Sequence, residues 1–449
     1  MSNKILGSDI NRVDAVAKVT GKAKYTDDFI ERDMLVGKVL RSPYAHAYVK
    51  NINVEEASKL DGVYAIITSK DLPRVKFATA GHPYSLDPGH RDVEDRLILT
   101  DKARLVGDAI AAVVAKDEII ADKALKLIKV DYEILPSVFV PEESVKENAP
   151  KIHEDRKNNI IASSVIDIGD IDNEFKNADF IFEGEYETSI VQHCQLENQT
   201  AYAYVDSNDR IVIVTSTQIP HIVRRVVGQA LDIPWGRIRV IKPYVGGGFG
   251  NKQDVIIEPL TAAMTLAVNG RPVRFSLSRE EVFIDTRTRH AMKFNIKSAV
   301  SKEGKLLGIY MDNIVNNGAY ASHGHSIAMS AASKFRPLYN FNSIRVEPKT
   351  VYTNLPTAGA MRGYGIPQVC FALEAHIEDI AVKLNIDSIK FRKDNFISLG
   401  HTDPLSGIKV RSFELDKCIE RGKELIKWDE KKELYKNQNS NKRKGLGMA

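Results

Sequence analysis

The chain has 449 residues, with 63 Lys and Arg against 59 Asp and Glu, and a net charge of +4. That length exceeds what one hydrophobic core serves and predicts two to three domains. So small a charge excess gives no reason to expect nucleic acid or a membrane surface as a partner. No run approaches the roughly 18 apolar residues of a membrane span.

The first residues, 1–7, are polar and lack the apolar stretch of a secretory leader, which predicts a cytoplasmic protein. Strand-like runs rich in Val, Ile and aromatics cover 34–40 and 63–68, with a short helix at 54–60. The continuous apolar run 109–115 suits a buried strand. A helix at 119–127 and a strand at 128–132 follow, and Leu135-Pro136 breaks the pattern. Residues 1–140 therefore read as an α/β unit. The charged stretch 141–159, with its prolines, reads as a linker.

A second unit is expected over 160–395. It holds strands at 202–205 and 210–215 and helices at 222–231, 259–268 and 368–383, the last with apolar residues at a helical spacing. From 396 to 449 the pattern is an amphipathic helix at 413–427, a basic connector, and the apolar beginning Gly445-Leu446-Gly447-Met448. The three cysteines, Cys194, Cys370 and Cys418, are too far apart for a zinc motif and too few for an iron–sulfur cluster. They read as reduced, mostly buried thiols.

Four local patterns could carry chemistry. A strand at 237–241 runs into Val245-Gly246-Gly247-Gly248-Phe249-Gly250. Glycines let backbone approach a ligand, and the helix opened by Pro259 could add its positive end. Asn251 stands where a Walker or dinucleotide loop needs glycine, so a nucleotide is not indicated. In Met361-Arg362-Gly363-Tyr364-Gly365, Arg362 suits an anion or oxo group, or else a structural ion pair, and Tyr364 suits a flat ring. Gln218 is either an amide aimed at a ligand or an ordinary helix-entry residue. His323-Gly324-His325 could bind a metal but has no third ligand close in sequence, so a satisfied loop pair is the plainer reading. His290 reads as structural. Neither GxSxG nor HExxH occurs.

In order and spacing, Ser216-Thr217-Gln218, Gly246 through Asp254, Arg287-Thr288-Arg289-His290, Gly318 through Ile327 and Thr353 through Gly365 resemble the xanthine dehydrogenase/aldehyde oxidase family, in the N-terminal half of its molybdenum-binding subunit. Gly21 through Asp28 and Leu40 through Ala47 resemble that family's N-terminal α/β hammerhead domain. The resemblance implies an α+β chain: the hammerhead, then the first molybdopterin-binding domain. It implies a molybdenum–molybdopterin cofactor, with the cytosine dinucleotide form fitting, and hydroxylation of an N-heteroaromatic purine with oxygen from water. Electrons would pass to 2Fe-2S and FAD on partner subunits and then to NAD. It also implies cofactor and metal contacts at Gln218, Phe249, Gly250 and Arg362, and substrate contacts at Gln253 and Tyr364.

Three departures follow from the same resemblance. Gln253 stands where mammalian xanthine-oxidising enzymes carry Glu, as it does in bacterial subunits. No arginine lies near Ser330, where those mammalian enzymes place one. The family's second cofactor-binding half, which carries the general-base glutamate, is missing from the chain. A partner chain would have to supply it, as in a split nicotinate dehydrogenase-like hydroxylase; the other account is a truncated, non-catalytic remnant or docking scaffold.

Overall fold

A computed structural model describes residues 7–83, 85–87, 91–334, 336 and 338–448. The chain is α+β, built on two large mixed sheets with helices packed on them. The first sheet has seven strands, in the order Ile238–Ile241, Ile211–Thr215, Thr200–Val205, Val273–Ser276, Leu35–Arg41, Ala109–Ala115 and Val63–Thr68. The three strands from the first 140 residues thus join four from the second unit in one sheet. The seam is parallel, with Leu35 opposite Val273.

Every residue of Ala109–Ala115 is buried because the strand is covered on both faces. Ala112 and Val114 face a core shared with helices Pro220–Leu231 and Glu258–Ala267. Val113 and Ala115 face a smaller cluster under helix Glu118–Leu127. Asp117 caps that helix by accepting the Ile120 amide at 2.9 Å. Helix Glu258–Ala267 lies close on the sheet at Gly37, where a Cβ would meet the Met264 sulfur and displace that side chain.

The second sheet runs Ile160–Ser163, Ser343–Val351, Leu306–Asn316, Ala291–Val300 and Phe180–Thr188. Helices Gly324–Lys334 and Ile366–Lys383 cover it, and Phe294, Met311, Val346, Val369 and Ile377 fill the space between. A three-stranded sheet of Ala47–Asn53, Lys102–Ala103 and Lys129–Ile134 completes the N-terminal region.

Two sequence expectations change here. The stretch 141–159 is folded rather than loose: it carries helix Pro141–Ser144 and buries Ser144, Ile152, His153 and Asn159. Ser144 donates to the Tyr352 carbonyl at 2.6 Å, and Asn159 donates to the carbonyls of Ser144 and Pro150. Its charged residues face outward and hid a short buried row. The thiols also differ, because Cys194 and Cys418 are exposed and Cys370 is half-buried. The amphipathic tail helix spans Leu415–Ile426 and ends where Lys427 takes a left-handed conformation. No helix among the described residues is long and apolar enough to cross a membrane.

Candidate functional site

The Gly-rich loop follows strand Ile238–Ile241 and is pegged at both ends by one carboxylate. Glu197 accepts the Gly246 amide at 2.7 Å and the Lys252 ammonium at 2.7 Å. Burial pulls the Lys252 pKa down, against the opposing pull of Glu197. Asn251, also buried, donates to Gln192 and Thr286 and accepts from Gln199 and from the Arg287 amide. Between these pegs the chain takes left-handed backbone at Gly247, Phe249 and Gly250. For Phe249, at φ 53°, that is a strained position held by its surroundings.

The helix beyond the loop does not lend it a positive end, contrary to the sequence expectation. Helix Glu258–Ala267 begins with its own carboxylate folded back onto the amides of Ile256, Ile257 and Glu258, and Glu258 also accepts from the Thr215 hydroxyl at 2.9 Å. The helix end is already satisfied.

Gln218, Phe249, Gly250 and Arg362 are brought together. The Gln218 carboxamide oxygen accepts the Gly250 amide at 3.2 Å. The Phe249 carbonyl accepts the Arg362 amide at 2.8 Å. A Cβ on Gly250 would collide with the Ala360 carbonyl, so the two loops touch backbone to backbone. Outward from this junction project three side chains: Gln218, the Phe249 ring at 51% exposure, and the Arg362 guanidinium. The Arg362 guanidinium has no hydrogen-bond or ion-pair partner among the described residues, so the structural ion pair open from sequence is not formed there. Arg289 braces it instead, donating to the Arg362 carbonyl at 2.9 Å.

Behind this surface lies a buried polar cluster. Asp254 and Arg287 pair at 3.0 Å with both side chains fully buried. Thr79 and Ser322 each donate to Asp254 at 2.8 Å. Burial pushes the Asp254 carboxyl up, but Arg287, His323 and the two hydroxyls together hold it below the ordinary aspartate value. Gln253 is half-buried beside it, and its carbonyl lies 3.2 Å from His323 Nε2.

Tyr364 is half-buried at φ 48°, with its hydroxyl 2.7 Å from Ser326, 2.8 Å from His323 Nδ1 and 3.2 Å from His82 Nε2. Burial raises its pKa to about 12. His323 is therefore satisfied, as read from sequence, and so is His290, which lies 2.7 Å from Asn317 Oδ1. His325 parts from them and faces His82 and Asp92, which the sequence reading missed. They come from the N-terminal region, so no local spacing could have signalled them.

Residues 20–136 match the aldehyde oxidase and xanthine dehydrogenase a/b hammerhead domain, and residues 152–396 match the molybdopterin cofactor-binding domain. The xanthine dehydrogenase molybdenum-binding subunit of Escherichia coli O157:H7 is 48% identical over 98% of this chain, which spans 58% of that protein. The nicotinate dehydrogenase large molybdopterin subunit of Eubacterium barkeri is 32% identical, over 94% of this chain and 96% of that one. The aldehyde oxidoreductase structure from Desulfovibrio gigas superposes with a TM-score of 0.89 and 30% identity, over 96% of this chain and 48% of that one.

Proposed function

Because the chain belongs to the aldehyde oxidase and xanthine dehydrogenase family of molybdenum oxidoreductases, we propose that it forms one wall of a site that hydroxylates a purine, xanthine or hypoxanthine. The observation that carries this reading is the convergence of Gln218, Phe249 and Arg362 around Gly250. The residues fit a molybdenum–molybdopterin group. Glycines clear the backbone surface, Phe249 offers an exposed apolar face, and Arg362 offers unpaired donors to an oxo group or phosphate.

When bound, that cofactor supplies the redox chemistry, and the protein supplies binding and orientation. Gln218 has a defined direction. The Gly250 amide can only donate, so the carboxamide oxygen faces it and the NH2 group is presented outward, toward an oxo acceptor. Gln253 can bond a purine edge as donor and acceptor but carries no charge to offer. Tyr364 borders the substrate space with its hydroxyl already tied to Ser326 and His323. By the family resemblance the general-base glutamate belongs to the second cofactor-binding half. The remaining components of this reading are the second cofactor-binding half, 2Fe-2S and FAD on partner subunits, water as oxygen source and NAD as final acceptor.

The test is the assembled complex. Molybdenum and pterin should copurify, and hypoxanthine or xanthine should be turned over. Replacing Arg362 with Lys or Gln218 with Ala should lower the molybdenum content or kcat by about 10- to 1000-fold. A complex holding the second half yet devoid of molybdenum sinks the reading.

A second reading keeps the chemistry and moves the substrate to nicotinate or another N-heteroaromatic ring. It is supported by the nicotinate dehydrogenase large molybdopterin subunit of Eubacterium barkeri, 32% identical over 94% of this chain. Turnover of hypoxanthine without nicotinate decides against it.

A further inference from the structure

The loop before residue 95 and the start of helix Gly324–Lys334 bring together three side chains that the cofactor surface does not use. His82 Nδ1 lies 2.6 Å from Asp92 Oδ1, and His325 Nε2 lies 3.4 Å from the same oxygen. The three donor atoms lie within 4.8 Å of one another. We infer that His82, Asp92 and His325 form a binding site for a zinc-like divalent transition metal, tying the N-terminal region to helix Gly324–Lys334.

The donor set selects the metal class. Two imidazoles and one carboxylate suit zinc, cobalt or nickel, whereas calcium and magnesium take oxygen ligands alone. The spacing also fits. Ligands about 2.0–2.1 Å from a tetrahedral ion stand roughly 3.3–3.4 Å apart. The His325–Asp92 edge already has that length. The His82–Asp92 edge must open by roughly 0.8 Å, exchanging one hydrogen bond for two metal bonds. Three protein ligands leave a fourth position for water. The Asp92 side chain is only 6% exposed while both imidazoles remain partly open, which gives an ion a route in.

The histidine tautomer ties the site to its surroundings. A metal on Nδ1 of His82 leaves the proton on Nε2, and Nε2 is the atom that faces the Tyr364 hydroxyl at 3.2 Å. His82 then donates to Tyr364, and Tyr364 donates onward to His323 Nδ1 or Ser326. A bound ion would thus hold the loop bearing His82 in register with Tyr364. This is a positioning role and does not depend on the purine reading.

The experiment uses the full chain, stripped with a chelator and titrated with Zn2+ against a chromophoric competitor, and separately with Co2+. One equivalent should bind per chain, with a visible cobalt spectrum free of thiolate charge-transfer absorption, which separates this site from the exposed Cys194 and Cys418. Asp92→Asn and His325→Gln should each weaken binding by about 100-fold or more. Zn2+ should raise the thermal midpoint of the wild type and not that of the variants. Far-UV circular dichroism identifies a variant that fails to fold, and the other then decides. Wild-type affinity in a folded variant, a thiolate band, or no stoichiometric binding overturns the proposal.

Discussion

The Gln218 carboxamide oxygen accepts the Gly250 amide at 3.2 Å, and this bond sets which end of the side chain faces outward. Two neighbouring glycines separate its consequences. A Cβ on Gly248 would collide only with the Gln218 carboxamide, an exposed and movable group. Gly248→Ala should therefore leave the thermal midpoint nearly unchanged while lowering molybdenum occupancy of the assembled complex. A Cβ on Gly250 would meet the Ala360 backbone at φ 106°. Gly250→Ala should destabilise the chain by about 1–3 kcal/mol, read by denaturant unfolding. Equal stability losses in the two variants would contradict the assignment.

The Asp254–Arg287 pair is fully buried, so removing one charge strands the other. Arg287→Met should cost about 3–5 kcal/mol in urea unfolding. Because the folded Asp254 carboxyl is held low, the pair's contribution is present above the ordinary aspartate pKa of about 3.9 and lost as pH falls through the folded value. Arg287→Met should therefore narrow its deficit relative to wild type only in that acidic window.

Three buried histidines act at milder pH. Burial lowers His153 to about 3 and His290 and His376 to about 4. The unfolded chain takes up these protons near pH 6.5, before the folded one does. Their stabilising effect is complete above about 6.5 and fades as pH falls toward 4. Urea midpoints at pH 7.5 and 5.0 should show the decline. His290→Asn should be less stable at pH 7.5 yet lose less on acidification; an identical pH response would contradict the assignment.

Tyr364→Phe removes the hydroxyl shared by Ser326, His323 and His82 and keeps the ring. It leaves buried polar atoms without their partner, which should cost about 1–3 kcal/mol. In the assembled complex the KM for substrate should move less than kcat, because the ring remains; a KM rise at unchanged kcat would point instead to a direct contact through the hydroxyl.

Much of the fold was legible where local pattern and burial agree. The runs Val63–Thr68 and Ala109–Ala115 are strands at the expected limits, because β-branched and small apolar residues mark them without help from distant contacts. That Gln218, Phe249, Gly250 and Arg362 lie together was legible only through their joint resemblance; no local rule says that Gly250 and Ala360 touch. His82 and Asp92 carried no signal, because His82 reaches Tyr364 across 282 positions of chain. The stretch 141–159 misled because its charges dominate its composition, while Ile152, His153 and Asn159 do the packing. The seven-stranded sheet was equally hidden, since strand pairing across units leaves no trace in periodicity.

That sheet bears on how the protein is made. Strand Leu35–Arg41 leaves the ribosome early, but its parallel partner Val273–Ser276 follows roughly 230 residues later. At about 5–20 residues per second, the nascent chain holds that edge unpaired for tens of seconds. An apolar edge left open so long is a template for strands of other chains. Slowed translation between the two strands should therefore raise the aggregated fraction without altering the mature fold.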